Sequence, residues 1–137
     1  ALARAALLLH QLTAEPRYRS LAEGLVGPLG ALAVSRPIGF GATLAVATAL
    51  ARPSRQLVVV SREGASDDEL RHYARATDDA GTVALAVTSA QATEWVSAGF
   101  ALLADRVALD GRTTAYLCTD FVCRLPVTSL HDLTGQE

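Results

Sequence analysis

The sequence predicts an α/β fold: a helical lead-in followed by a small three-stranded parallel βαβαβ tail. Three observations predict it. Apolar residues recur at helical spacing as far as Arg52-Pro53. Beyond Pro53, short β-branched runs alternate with helical ones. Strands that are apolar on both faces and separated by helices belong to parallel sheets with right-handed crossovers. Residues 1–52 are therefore expected as a helical segment and residues 53–137 as a small α/β domain.

In the lead-in, Leu2 to Leu12 is apolar almost all round, broken by Arg4, His10 and Gln11, so this helix needs neighbours on several sides. Thr13 is placed to cap a second helix with Pro16 in its first turn, where a missing N–H costs little. Tyr18, Leu21, Ala22, Leu25, Leu29 and Leu32 keep helical spacing, but Gly24, Gly27, Pro28 and Gly30 predict a kink or break. Ser35 and Pro37 open a third helix whose buried stripe is Phe40, Leu44, Ala47 and Ala51. These helices cannot bury all their own apolar surface. Leu7, Leu8, Leu9 and Leu12 are thus expected against another chain or the remainder of a longer one.

In the tail, strands are expected at 57–60, 83–87 and 114–118, with Leu57, Val59, Val83, Leu85, Val87 and Leu117 buried. Ser66 and Glu69 have capping-box spacing for the first helix between them, and Gly81 is its left-handed stop. Thr88-Ser89-Ala90-Gln91 opens a short helix carrying Trp95 and ending near Gly99, with Trp95 either a core anchor or an interface edge. Asp110-Gly111 suits a tight turn. Its rival consequence is an antiparallel hairpin pairing 107–109 with 113–115.

Composition narrows function. Half the residues are hydrophobic and 19% are charged, so a packed core is affordable and disorder is not expected. The net charge is −2, and all twelve basic residues are scattered arginines, which gives no electrostatic footprint for nucleic acid. Apolar runs are too short to span a bilayer, and no secretory signal pattern opens the chain, so neither a membrane nor export is expected. A cytoplasmic protein is the default. Lys, Met and Asn are absent while Ala and Arg abound, the bias of a GC-rich, bacterial gene. The missing Met also makes Ala1 an unexpected translation start.

Few residues carry chemistry. Cys118 and Cys123 are the only cysteines, at C-x4-C spacing rather than the C-x-x-C of a redox dithiol. A disulfide would require Thr119 to Val122 to turn back sharply, bringing the Cα atoms within about 7 Å; Asp120 permits that without requiring it. The preferred reading is two reduced, buried thiols packed with Tyr116 and Phe121, and a redox pair is the alternative. Zinc takes four ligands and the chain shows no such set, so neither metal nor cofactor is expected. The loop from Ser61 to Ser66 enters a helix after a buried strand, making Arg62, Gly64 and Ser66 a possible anion-binding loop. Against it stand Asp67, Asp68 and the lack of a glycine-rich phosphate motif; an ordinary solvated loop is preferred. His10, His72 and His131 join no nucleophile, and Asp67-Asp68 and Asp78-Asp79 lie at opposite ends of one helix. No catalytic residue is assigned.

One resemblance runs along nearly the whole chain. Tyr116-Leu117-Cys118 followed by Phe121-Val122-Cys123-Arg124-Leu125-Pro126-Val127-Thr128 resembles the tail of YyaL-like proteins, relatives of the spermatogenesis-associated thioredoxin-like family. Glu15-Pro16-Arg17-Tyr18-Arg19, Leu57-Val58-Val59-Val60 and Ala108-Leu109-Asp110-Gly111-Arg112 match in the same order. The resemblance implies a parent with a thioredoxin-like domain, a helical barrel similar to sugar epimerases and six-hairpin glycosidases, and a small α/β tail. Residues 1–52 would then be the last barrel helices. The expected role is an accessory, structural or partner-docking region, working with the remainder of the parent chain or by self-association through the N-terminal helices. The alternatives are electron exchange between Cys118/Cys123 and the thioredoxin-like domain, or a contribution to a sugar-type pocket.

Overall fold

The computed structural model describes residues 1–79 and 81–136. Four helices come first: α1 (Leu2–Thr13), α2 (Pro16–Val26), α3 (Gly30–Ser35) and α4 (Gly41–Leu50). Pro16 occupies the first turn of α2, as its lost N–H allows. Thr13 is not that helix's cap. Its hydroxyl donates to the Leu9 carbonyl at 2.7 Å and accepts from the Glu15 amide at 3.2 Å, closing the turn between the helices instead. The expected break appears as a 3-10 turn, Gly27–Leu29, between α2 and α3. The helices close on a small core of Ala6, Leu7, Ala22, Val26 and Val46. Val46, not the expected stripe, is the buried residue of α4; Phe40, Leu44 and Ala47 are half-buried and Ala51 is exposed.

The sheet is built from β1 (Arg55–Ser61), β2 (Thr82–Thr88), β3 (Thr114–Thr119) and β4 (Val122–Cys123), in the order β2-β1-β3-β4. β1 and β2 are parallel, joined through α5 (Glu69–Ala76). β3 lies antiparallel to β1, with Leu57 opposite Leu117, and β4 pairs antiparallel with β3. The sheet is therefore mixed and four-stranded, which corrects the three-stranded parallel expectation. The cause is the route after α6 (Ser89–Ser97). Beyond the 3-10 turn Ala101–Leu103, residues 104–113 form no helix longer than one turn and lead the chain back before β3 begins. β3 therefore enters opposite Val60, at the end of β1, and runs the other way. Asp110 and Gly111 do adopt the paired positive φ values of a tight turn, 49° and 69°, but no ladder forms between 107–109 and 113–115.

Both faces of the sheet are covered. On one, Val58, Val60, Val83, Val87, Tyr116 and Cys118 pack with Ala92 of α6 and with Leu102 and Leu103. On the other, Leu57, Val59, Ala115 and Leu117 pack with Leu70 and Ala74 of α5 and Leu133 of α7 (Leu130–Thr134). Leu85, expected inside, is half-buried because β2 is an edge strand. The expected capping box at Ser66 is replaced: Asp68 caps α5, its carboxylate accepting from the Arg71 amide at 3.1 Å. The reciprocal box forms instead between Thr88 and Gln91 at α6. Leu7 and Leu12, expected against another chain, are turned inward, whereas Leu8 and Leu9 are exposed.

Candidate functional site: a disulfide-closed hairpin

Strands β3 and β4 are joined by the two residues Asp120 and Phe121, both at positive φ (47° and 67°). Two consecutive left-handed residues make the turn that matches the twist of a hairpin. Asp tolerates this conformation; a bulky Phe rarely adopts it. Contacts from two other segments, the start of β1 and α1, hold the tip there. The Asp120 carboxylate accepts from the Ser54 amide at 2.8 Å, and the Asp120 amide donates to the Ser54 carbonyl at 2.7 Å. The Phe121 amide donates to Oε1 of Gln56 at 3.3 Å, and the His10 ring meets the Phe121 ring edge-on at 5.4 Å. Gln56 has no solvent exposure, and its Nε2 donates to the Ser54 hydroxyl at 2.8 Å. Gln11 of α1 donates to the same hydroxyl and to the Gly81 carbonyl. One buried polar network thus ties the first helix, the start of β1 and the hairpin tip together.

That geometry sets the cysteines. The register places Cys118 opposite Cys123, with Cα atoms 3.8 Å apart, and the two sulfurs are bonded. The expectation of two reduced thiols is thereby corrected. Its error was physical: Asp120 was expected to turn the chain, but not to return β4 in register beside β3. Cys118 is 1% exposed and Cys123 is half-buried. Tyr116 packs on the same face as Cys118, as the period of a strand requires. Its hydroxyl donates to the Val107 carbonyl at 2.8 Å and accepts from the Val107 amide at 3.2 Å. Those bonds fix the residue next to Arg106, whose guanidinium carbon sits 5.2 Å from the centre of the Tyr116 ring. Arg106 Nη2 lies 2.8 Å from Sγ of Cys123 and 3.9 Å from Sγ of Cys118.

The other sequence candidates do not converge. Arg62 and Ser66 are exposed, and Gly64 takes a positive φ of 66° that suits a solvated turn. The loop supplies its own anion: the Glu63 carboxylate accepts from the Ala90 amide at 2.9 Å, in the first turn of α6. That bond, with a lesser contribution from the Thr88 side chain, holds the Glu63 carboxyl below the usual carboxylate range. His72 and His131 are exposed. Asp67 faces Arg71 and Arg75 at 3.4 and 2.7 Å. A cleft of about 350 Å³ reaches Asp68 and Glu69, but the Asp68 carboxylate is committed to capping α5. Among the described residues no group of three or more His, Cys, Asp or Glu is placed to hold a metal ion, and no helix is long and apolar enough to cross a membrane.

Sequence reading alone missed Arg106, Ser54 and Gln56. Arg106 has no local pattern, being brought in by the return segment. Gln56 had a signal: a polar side chain heading a run of four apolar strand residues must find partners. Comparison with known proteins found no matching family model, no matching curated protein and no matching solved structure.

Proposed function

We propose that the chemistry of this chain is thiol–disulfide exchange at Cys118 and Cys123, within an accessory α/β region of a larger thioredoxin-domain-containing protein. The observation that carries the chemistry is the cross-strand disulfide with one of its cysteines, Cys123, half-buried. A purely stabilising bridge gains most by closing a long loop. This one spans a sequence separation of five, worth about 2 kcal/mol by chain entropy, in a hairpin already pinned by Asp120 and Gln56. In the cytoplasm expected from the sequence, disulfides are mostly transient, catalytic or sensing. The YyaL-like resemblance supplies the dithiol partner of this reading, a thioredoxin-like domain. Equilibration in glutathione buffers tests it. Reversible interconversion of dithiol and disulfide within the cellular range is expected; a bond that neither forms nor breaks there would refute it.

A second reading, compatible with the first, concerns docking. Leu2, Leu8, Val34 and Ile38 of the helical lead-in are 62%, 46%, 75% and 102% exposed. In this reading these open apolar side chains are covered by the remaining helices of a parent chain. Sedimentation of the isolated chain tests it. Self-association is expected, and the double variant Leu8→Ser, Ile38→Ser should abolish it with little change in stability. A wild-type chain that stays monomeric at high concentration would count against docking.

A further inference from the structure

We infer that Arg106 is the positioning residue of the cysteine pair: it selects Cys123 as the thiolate of the reduced form and so as the sulfur that exchanges with an external protein dithiol. The inference rests on the thiol–disulfide reading and adds to it the division of labour between the two sulfurs.

A disulfide sulfur is uncharged and a weak hydrogen-bond acceptor. A guanidinium 2.8 Å from Cys123 Sγ gains little from the oxidised pair. The same guanidinium beside a thiolate gains a charge-assisted contact. Arg106 is also short of other partners. Its Nε is buried with no hydrogen bond, and among the described residues no carboxylate forms an ion pair with it. A partly buried cation without a counter-ion is costly, and reduction supplies the counter-ion. The Tyr116 ring and the two Tyr116–Val107 bonds hold the guanidinium over the sulfurs. A positive group at this distance lowers a thiol's pKa. Cys118 is 1% exposed and lies farther from Arg106, at 3.9 Å, so burial keeps its thiol protonated.

The exchange balances as follows. One thiolate of a partner dithiol attacks Sγ of Cys123, the less buried residue of the pair; the Cys118–Cys123 bond breaks, and its electron pair stays on Cys118. The partner's second thiol gives its proton to Cys118 and attacks its own sulfur in the mixed disulfide. Cys123 leaves as a thiolate beside Arg106. The partner is oxidised to its disulfide and the hairpin is reduced by the same two electrons, with Cys118 as thiol. Read in reverse, the Cys123 thiolate attacks a partner disulfide and Cys118 resolves the intermediate.

The test is alkylation of the dithiothreitol-reduced chain by iodoacetamide across pH, with the modified cysteine identified by fragment mass spectrometry. Cys123 should react first, with a midpoint about one pH unit or more below the ordinary thiol value of about 8.5. Arg106→Gln should move that midpoint up towards 8.5 and slow Cys123 alkylation at pH 7 about threefold, since a tenfold loss of thiolate is partly offset by higher nucleophilicity. Arg106→Lys should stay near wild type. If Cys118 reacts first, or Arg106→Gln leaves the Cys123 midpoint unmoved in a folded protein, the inference is overturned while exchange at the pair still stands. If Arg106→Gln does not fold, the wild-type profile decides: a Cys123 midpoint at or above 8.5 overturns it. A disulfide that dithiothreitol cannot open sinks the thiol–disulfide reading itself.

Discussion

Replacing Asp120 by Ala probes the support under the cysteine pair. The substitution removes the acceptor of the Ser54 amide, and Ser54 is 4% exposed, so water does not easily replace it. A hydrogen bond to a charged acceptor contributes about 1.5–3 kcal/mol. Asp120 is itself exposed, so the lower end, about 1.5 kcal/mol, applies. Ala must also hold a φ of 47°, where an ordinary side chain costs about 1 kcal/mol and Asp less. The sum is about 2–2.5 kcal/mol. Urea unfolding followed by Trp95 fluorescence reads it. With a slope of about 1.5 kcal/mol per molar, the midpoint should fall by about 1.5 M, the slope itself being unchanged. Two further variants separate the terms. Asp120→Asn keeps an acceptor and tolerates the same φ, so it should lose about 1 kcal/mol or less. Asp120→Gly relieves the φ but not the lost bond, and should fall between Asn and Ala. An Asp120→Ala protein within about 0.5 kcal/mol of wild type would show that the tip is not held by this bond.

Three other outcomes are expected. Leu133→Ala empties a fully buried site where α7 packs on the sheet, and urea unfolding should show a loss of about 2–4 kcal/mol; a loss below 1 kcal/mol would mean that α7 is not docked as described. The Glu63 carboxyl is held below its ordinary value by the Ala90 amide, so its folded form favours deprotonation. Its contribution is present above about pH 4.5 and disappears as pH falls through the lowered value. Glu63→Gln should therefore narrow the stability difference between pH 7 and pH 3 in denaturant titrations, and an unaltered pH dependence would contradict the cap. Replacing both cysteines by Ser should lower stability by about 2 kcal/mol without unfolding the chain, as read by its thermal midpoint against the oxidised wild type; collapse of the fold would make the bridge structural.

The sequence by itself determined what local chemistry can determine. Apolar spacing marked the helices of the lead-in, and the β-branched runs at 57–60 and 83–87 marked two strands buried between layers, because those signals repeat within a few residues. The glycines and Pro28 located the helix break, and Thr88 with Gln91 located the start of α6. What only the tertiary structure decided involves residues far apart in the chain. The direction of β3 depended on how far residues 104–113 carry the chain before pairing begins, and periodicity has no sign for direction. The Asp120-Phe121 turn is specified from outside, by Ser54, Gln56 and His10, more than 60 positions earlier; nothing local makes Phe121 a positive-φ residue. The cysteine pairing follows from that turn. Arg106 likewise reaches the sulfurs only because Tyr116 anchors the segment that delivers it. Alternating patterns register which side of a strand a residue occupies, whereas partners across the fold are chosen by the free energy of closing long loops around buried polar groups, and that quantity exists only in the assembled structure.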